Sequence, residues 1–82
     1  MHTHHEPHVI VFEVDTTRCE THEHELTGAQ IKALANKPPA NALYRIEERH
    51  GHPHRQEIGD NELVHLHEHE HFVTEPPVGR AS

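Results

Sequence analysis

"LTGAQIKALANKPP", Leu26 to Pro39, is the stretch that decides the fold. Thr27 stands where an N-cap belongs, and Gln30 follows three residues later, which completes a capping box. Leu26 and Ile31 take the two positions of a hydrophobic staple. Ile31, Leu34 and Ala35 share one face at helical spacing, so this face is expected to be buried. Asn36 and Lys37 end the helix, and Pro38 and Pro39 prevent its continuation. A good N-cap contributes ~1 kcal/mol. A helix of about ten residues is marginal by itself and needs a surface to pack on.

That surface is sought on either side. "HVIVFEV" (8–14) is a β-branched and aromatic run of strand type. "DTTR" (15–18) supplies turn formers, and "CETHEHEL" (19–26) alternates as an exposed strand paired with the first would. Beyond the helix, "ALYRIEE" (42–48) alternates and reads as a strand. "RHGHPHRQ" (49–56) reads as a Gly/Pro loop. "EIGDNE" (57–62) sets Ile58 before a turn, "LVHLHEH" (63–69) is a further strand, and "HFVT" (71–74) is the last. Val9, Val11, Leu43, Ile46, Val64, Leu66 and Phe72 are the expected sheet side of the core. A slip of one residue would exchange the faces of any strand.

One helix and four or five strands, in the order strand, strand, helix, strand, strand, strand, should form a sheet with the helix across one face. The class is α+β, and the order is that of a β-grasp. The expected organisation is a mobile His-rich segment at 1–7, a domain at 8–75 and a flexible C-terminal tail at 76–82.

Composition limits what such a domain does. Eighty-two residues, 32% of them hydrophobic, make one domain with a thin core. Its three aromatics, Phe12, Tyr44 and Phe72, leave little to line a large substrate cavity. A formal net charge of −7 repels nucleic acid and anionic membranes, so neither is an expected partner. No apolar run approaches the ~18 residues of a membrane span, and "MHTHHEPH" lacks the apolar core of a signal peptide. A single cysteine, Cys19, excludes an internal disulfide framework. These features favour a cytoplasmic location. Nor does "TTRCETH" offer an oxyanion-hole turn for Cys19 to work with, so no catalytic residue is assigned and the chain is not expected to be an enzyme.

"LTGAQIKALANKPPANALYRI", followed by "IGDNELVHLHEHEHFVTEPP", resembles the bacterial multiubiquitin-type ubiquitin-like domain. The resemblance covers roughly residues 8–77. It rests on "TGAQIKALA" leading into "LYRI", the Gly59-Asp60 turn, alternating Val64 and Leu66, and the ending Phe72, Thr74, Pro76, Pro77. It implies a ubiquitin-like β-grasp with a four- to five-stranded mixed sheet, and a role as a protein modifier. It implies as partners an activating enzyme, a conjugating enzyme and a metallopeptidase of the JAB class, with target proteins beyond them. Two departures stand out. His69 occupies a turn position where such domains often carry glycine, and the chain holds one copy of a domain that is often repeated.

The closing "PPVGRAS" fits that role chemically. A modifier must present a carboxylate on a thin arm that enters an enzyme site. Glycine has no side chain to obstruct the approach. Gly79, followed by Arg80, Ala81 and Ser82, reads as a processing point with its scissile bond before Arg80. Pro76 and Pro77 would hold the arm extended. Val78, Pro77, Pro76 and Phe72 are the expected partner-binding residues. Read blandly, Gly79 is an ordinary residue of a frayed terminus.

Thirteen histidines are the other unusual feature. His65, His67, His69 and His71 alternate, and in an unbroken strand they would face one way, about 6–7 Å apart. Neutral imidazoles bind zinc, nickel or copper, so these four are weak candidates for metal ligands. A turn within "HEHEH" would scatter them, and solvated surface histidines explain the composition equally well. No cofactor is required, and zinc or nickel would be adventitious. Imidazoles ordinarily titrate near pH 6.5. Adding thirteen charges to −7 gives +6, so solubility should pass through a minimum between neutral and mildly acidic pH. Two functions stay open: a conjugated modifier, and a non-conjugated β-grasp binding module that docks partners or collects metal through histidine.

Overall fold

The computed structural model describes residues 8–77. The expectations placed on residues 1–7 and 78–82 lie outside them. The described chain forms strand β1 (Ile10–Val14), strand β2 (Thr17–Thr21), strand β3 (Glu25–Thr27) and helix α1 (Gly28–Leu34). Strands β4 (Ala42–Arg49), β5 (His52–Ile58), β6 (Leu63–His65) and β7 (Glu70–Glu75) follow. Five strands make a mixed sheet in the order β2-β1-β7-β4-β5, with β1 and β7 parallel at its centre. The short β3 and β6 pair separately. Together with the one helix among the described residues this is a ubiquitin-like α+β β-grasp.

The helix starts as its sequence requires. Gln30 N donates to Thr27 Oγ1 at 3.2 Å, and Thr27 N donates to Gln30 Oε1 at 2.8 Å, so both halves of the capping box are made. At the other end Asn36 takes the left-handed conformation, φ 63°. Lys37 N donates to Lys32 O and Asn36 N to Ala33 O, which is a Schellman closure. The helix is therefore shorter than the sequence suggests, because Ala35 and Asn36 turn the chain before the prolines are reached.

Ile10, Phe12, Val14, Cys19, Leu26, Ile31, Ala35, Leu43, Ile58, Val64, Leu66 and Phe72 form the core. Phe12 and Phe72 meet edge to face, with ring centroids 5.8 Å apart. Val64, Leu66, Leu43 and Phe72 lie where the sequence places them, whereas Val9 and Val11 do not. The run "HVIVF" is apolar at both parities, so alternation could not set its face, and the even positions won. Ile46 is also corrected. It is three residues from Leu43 and so must face the opposite side of β4, where it is half-buried.

Leu34 is the main correction on the helix. It is 46% exposed, and the buried face runs through Gly28, Ile31, Lys32 and Ala35. A lysine holds the position that periodicity gives to an apolar residue.

The 49–56 segment is not a loop. Only His50 and Gly51 turn, both at positive φ, as a two-residue hairpin between twisted strands demands. Residues 52–58 then pair along β4 as the edge strand β5. Pro53 is tolerated there because an edge strand leaves one row of backbone groups unpaired. Likewise residues 19–26 are not one strand. β2 ends at Thr21, and β3 starts at Glu25 to pair with β6 instead.

Candidate functional site

Strand β7 lies in the middle of the sheet and leads straight to Pro76 and Pro77, both exposed. Pro77, the last described residue, thus stands two residues beyond the sheet's middle strand. The face of β7 turned from the helix carries His71 and Val73. Register places Tyr44 opposite Val73 and Ile46 opposite His71 on β4, and Glu13 opposite His71 on β1. Tyr44, Ile46 and Val73 are each half-buried, so the sheet presents an apolar strip beside the departing chain.

Charges frame this strip. The Arg55 guanidinium stacks over the Tyr44 ring, 4.2 Å from its centroid, and pairs with Glu75. Arg18 pairs with Glu20 on the edge strand β2 at 2.9 Å. The strip is thus apolar at its centre and charged at its rim.

Asp15 anchors β7 from below. Its carboxylate accepts from Thr74 N at 2.9 Å and Thr74 Oγ1 at 2.8 Å, while Asp15 N donates to Phe72 O. Burial by itself would push the Asp15 carboxyl up. The Thr74 bonds and Lys37 outweigh it and hold the carboxyl below its ordinary value. Asp15 sits at φ 57° in the β1–β2 turn, a conformation aspartate tolerates better than most residues. Arg45 fixes the opposite end of β7 by donating to Glu70 Oε1 and to the His65 carbonyl. Neither role was evident from the sequence, because each partner lies at least 20 residues away in the chain.

Of the expected partner-binding residues, Phe72 is corrected. It is 0% exposed, packed in the core, and offers nothing to a partner; its neighbours His71 and Val73 face out instead. Pro76 and Pro77 are on the surface. Val78, Gly79 and Arg80 lie outside the described residues.

The four alternating histidines do not form a row. His65 ends β6 and pairs with Glu25 at 2.9 Å, and His67 lies beyond the strand. His69 occupies a turn at φ 63°, and His71 lies in β7. Histidine enters the left-handed region more readily than most residues, which lets His69 serve where a glycine would. Among the described residues no group of three or more His, Cys, Asp or Glu is placed to hold a metal ion. Cys19 is buried, and its burial raises the thiol pKa, as in an inert core cysteine. Among the described residues no helix is long and apolar enough to cross a membrane.

Neither a curated protein nor a solved structure matches the chain. A family model described as Multiubiquitin matches residues 10–76, from the first strand to the first residue of the proline pair. With the β-grasp topology in place, the chain belongs to the multiubiquitin family of ubiquitin-like domains.

Proposed function

We propose that this domain is a protein modifier, joined to targets through the carboxylate of Gly79. The observation that carries the reading is the exit of the chain from β7, the middle strand, past two exposed prolines and beside the Tyr44–Ile46–Val73 strip. An enzyme that docks on that strip would receive the departing arm in its own active site.

A partner peptidase of the JAB class would use zinc-bound water to hydrolyse the Gly79–Arg80 bond. An activating enzyme would join the freed carboxylate to AMP, with release of pyrophosphate from magnesium-bound ATP. A partner thiol would displace AMP, and a nucleophile on the target would displace the thiol. The domain itself acts in this scheme as substrate, contributing a surface and an end but no catalytic group. The setting is the cytoplasm, where ATP and reduced thiols are at hand.

Co-expression with the cognate peptidase, followed by intact-mass measurement, tests the reading. The expected product ends at Gly79. Gly79→Trp should block processing or activation and leave the thermal melt unchanged. An uncut chain beside every cognate enzyme, with function retained by Gly79→Trp, would overturn the modifier in favour of a non-conjugated binding module.

A further inference from the structure

The sequence contains two lysines, Lys32 and Lys37, and the fold treats them oppositely. Lys32 lies on the buried face of α1 and is 3% exposed. Its ammonium has three N–H donors, and three oxygens surround it. Nζ is 2.8 Å from Pro39 O, 2.6 Å from Asn41 O and 2.7 Å from Asp60 Oδ1. Every donor is engaged. To attack an acyl carbon, the amine would have to lose a proton, release all three oxygens and leave its slot between the helix, the 39–41 turn and the 59–62 turn.

Lys37 stands just past the helix end, with its side chain partly exposed. Its Nζ faces a single carboxylate oxygen, Asp15 Oδ2, at 3.4 Å. A long ion pair at the surface holds a lysine weakly. A rotation of the side chain brings the amine into water without disturbing the core.

We propose that the folded domain has one lysine open to acylation, Lys37, and that Lys32 is closed to it. Resting on the modifier reading, this extends to regulation: any lysine-linked joining of one copy to another runs through Lys37. In that step the Lys37 nitrogen attacks the Gly79 thioester carbon of the incoming copy. The N–C bond forms, the C–S bond breaks, the thiol leaves with the electron pair, and the surplus ammonium proton passes to solvent.

The reactivity of the two amines decides the proposal without any cognate enzyme. The native protein is treated with limiting N-hydroxysuccinimidyl acetate, quenched, digested and read by mass spectrometry, with an unstructured lysine peptide in the same tube as reference. Lys37 should acetylate within about tenfold of the peptide. Lys32 should lag Lys37 by about 100-fold or more, because its modification waits on opening of the fold. The two should converge in concentrated guanidinium. Comparable native rates, or a Lys37 as protected as Lys32, would overturn the proposal. With cognate enzymes, Lys37→Arg should abolish lysine-linked ladders, and a ladder mapped to Lys32 would also overturn it. Failure of the wild-type chain to conjugate at all would count against the modifier reading and leave the acetylation result standing.

Discussion

Gly28 and Gly59 touch backbone to backbone: a Cβ on Gly28 would lie 2.3 Å from the Gly59 carbonyl oxygen. The contact exists because the 59–62 turn caps the helix. Asp60 O accepts from Ala29 N, and Glu62 O accepts from Gly28 N, both at 3.1 Å. Two N–H groups that a helix start leaves unpaired are thereby satisfied. Gly28→Ala should destabilise the domain by about 1–3 kcal/mol, despite alanine's better helix propensity. Gly59→Ala should be near neutral, since its Cβ would meet nothing closer than 4.0 Å. Urea melts of the two variants check the asymmetry, and equal losses would contradict it.

Lys32 and Asp60 should respond unequally to substitution. Lys32→Met keeps much of the side-chain volume but leaves the Pro39 and Asn41 carbonyls without their donor, a loss of about 2–3 kcal/mol. Asp60→Asn should cost under about 1 kcal/mol, because Asp60 is more than half exposed and Lys32 retains both carbonyls. Chemical denaturation of each variant measures the difference. A larger loss from Asp60→Asn would mean that the ion pair, not the two carbonyls, holds the lysine.

Ile31 and Leu34 reverse the naive reading of the helical face. Ile31 is 0% exposed, so Ile31→Ala should cost about 2–5 kcal/mol. Leu34→Ala should cost less than about 1 kcal/mol, as a half-exposed site leaves no cavity behind. Thermal melts of the pair test the assignment of the buried face.

Asp15 ties stability to acid. Its carboxyl is held below the ordinary value in the folded state, so protonation favours unfolding. Its contribution is complete above the ordinary carboxylate pKa, near 4, and is lost as pH falls through the lower folded value. Asp15→Asn keeps a side chain that tolerates the positive φ but cannot carry the charge. The variant should be less stable at pH 7, and the gap to wild type should close as pH falls below about 4. Urea midpoints across pH 7 to 2.5 read this directly. A constant gap would remove Asp15 from the acid response.

Local order was largely decided by the sequence itself. The capping box and the turn-forming Asn36 act within a few residues of each other, so helix α1, Gly28–Leu34, with its cap at Thr27 and its closing turn at Asn36, follows from short-range chemistry. The likeness to the multiubiquitin family was legible for the same reason: it rests on patterns along the chain. Tertiary structure decided which face each element buries. "HVIVF" offers apolar residues at both parities, and only pairing with β2 and β7 selected Ile10, Phe12 and Val14. On α1 the slot lined by two carbonyls and Asp60 accepts an ammonium, so Lys32 turned inward and Leu34 was left outside. The edge strand β5 was hidden because its Pro53 and polar residues read as a loop, although its partner β4 lies just across a two-residue hairpin, whereas the Asp15–Thr74 clasp was hidden because its partners are distant in sequence. Periodicity reports how a residue is spaced from its neighbours. Burial depends on what the rest of the chain brings against it, and that is set only when the sheet closes.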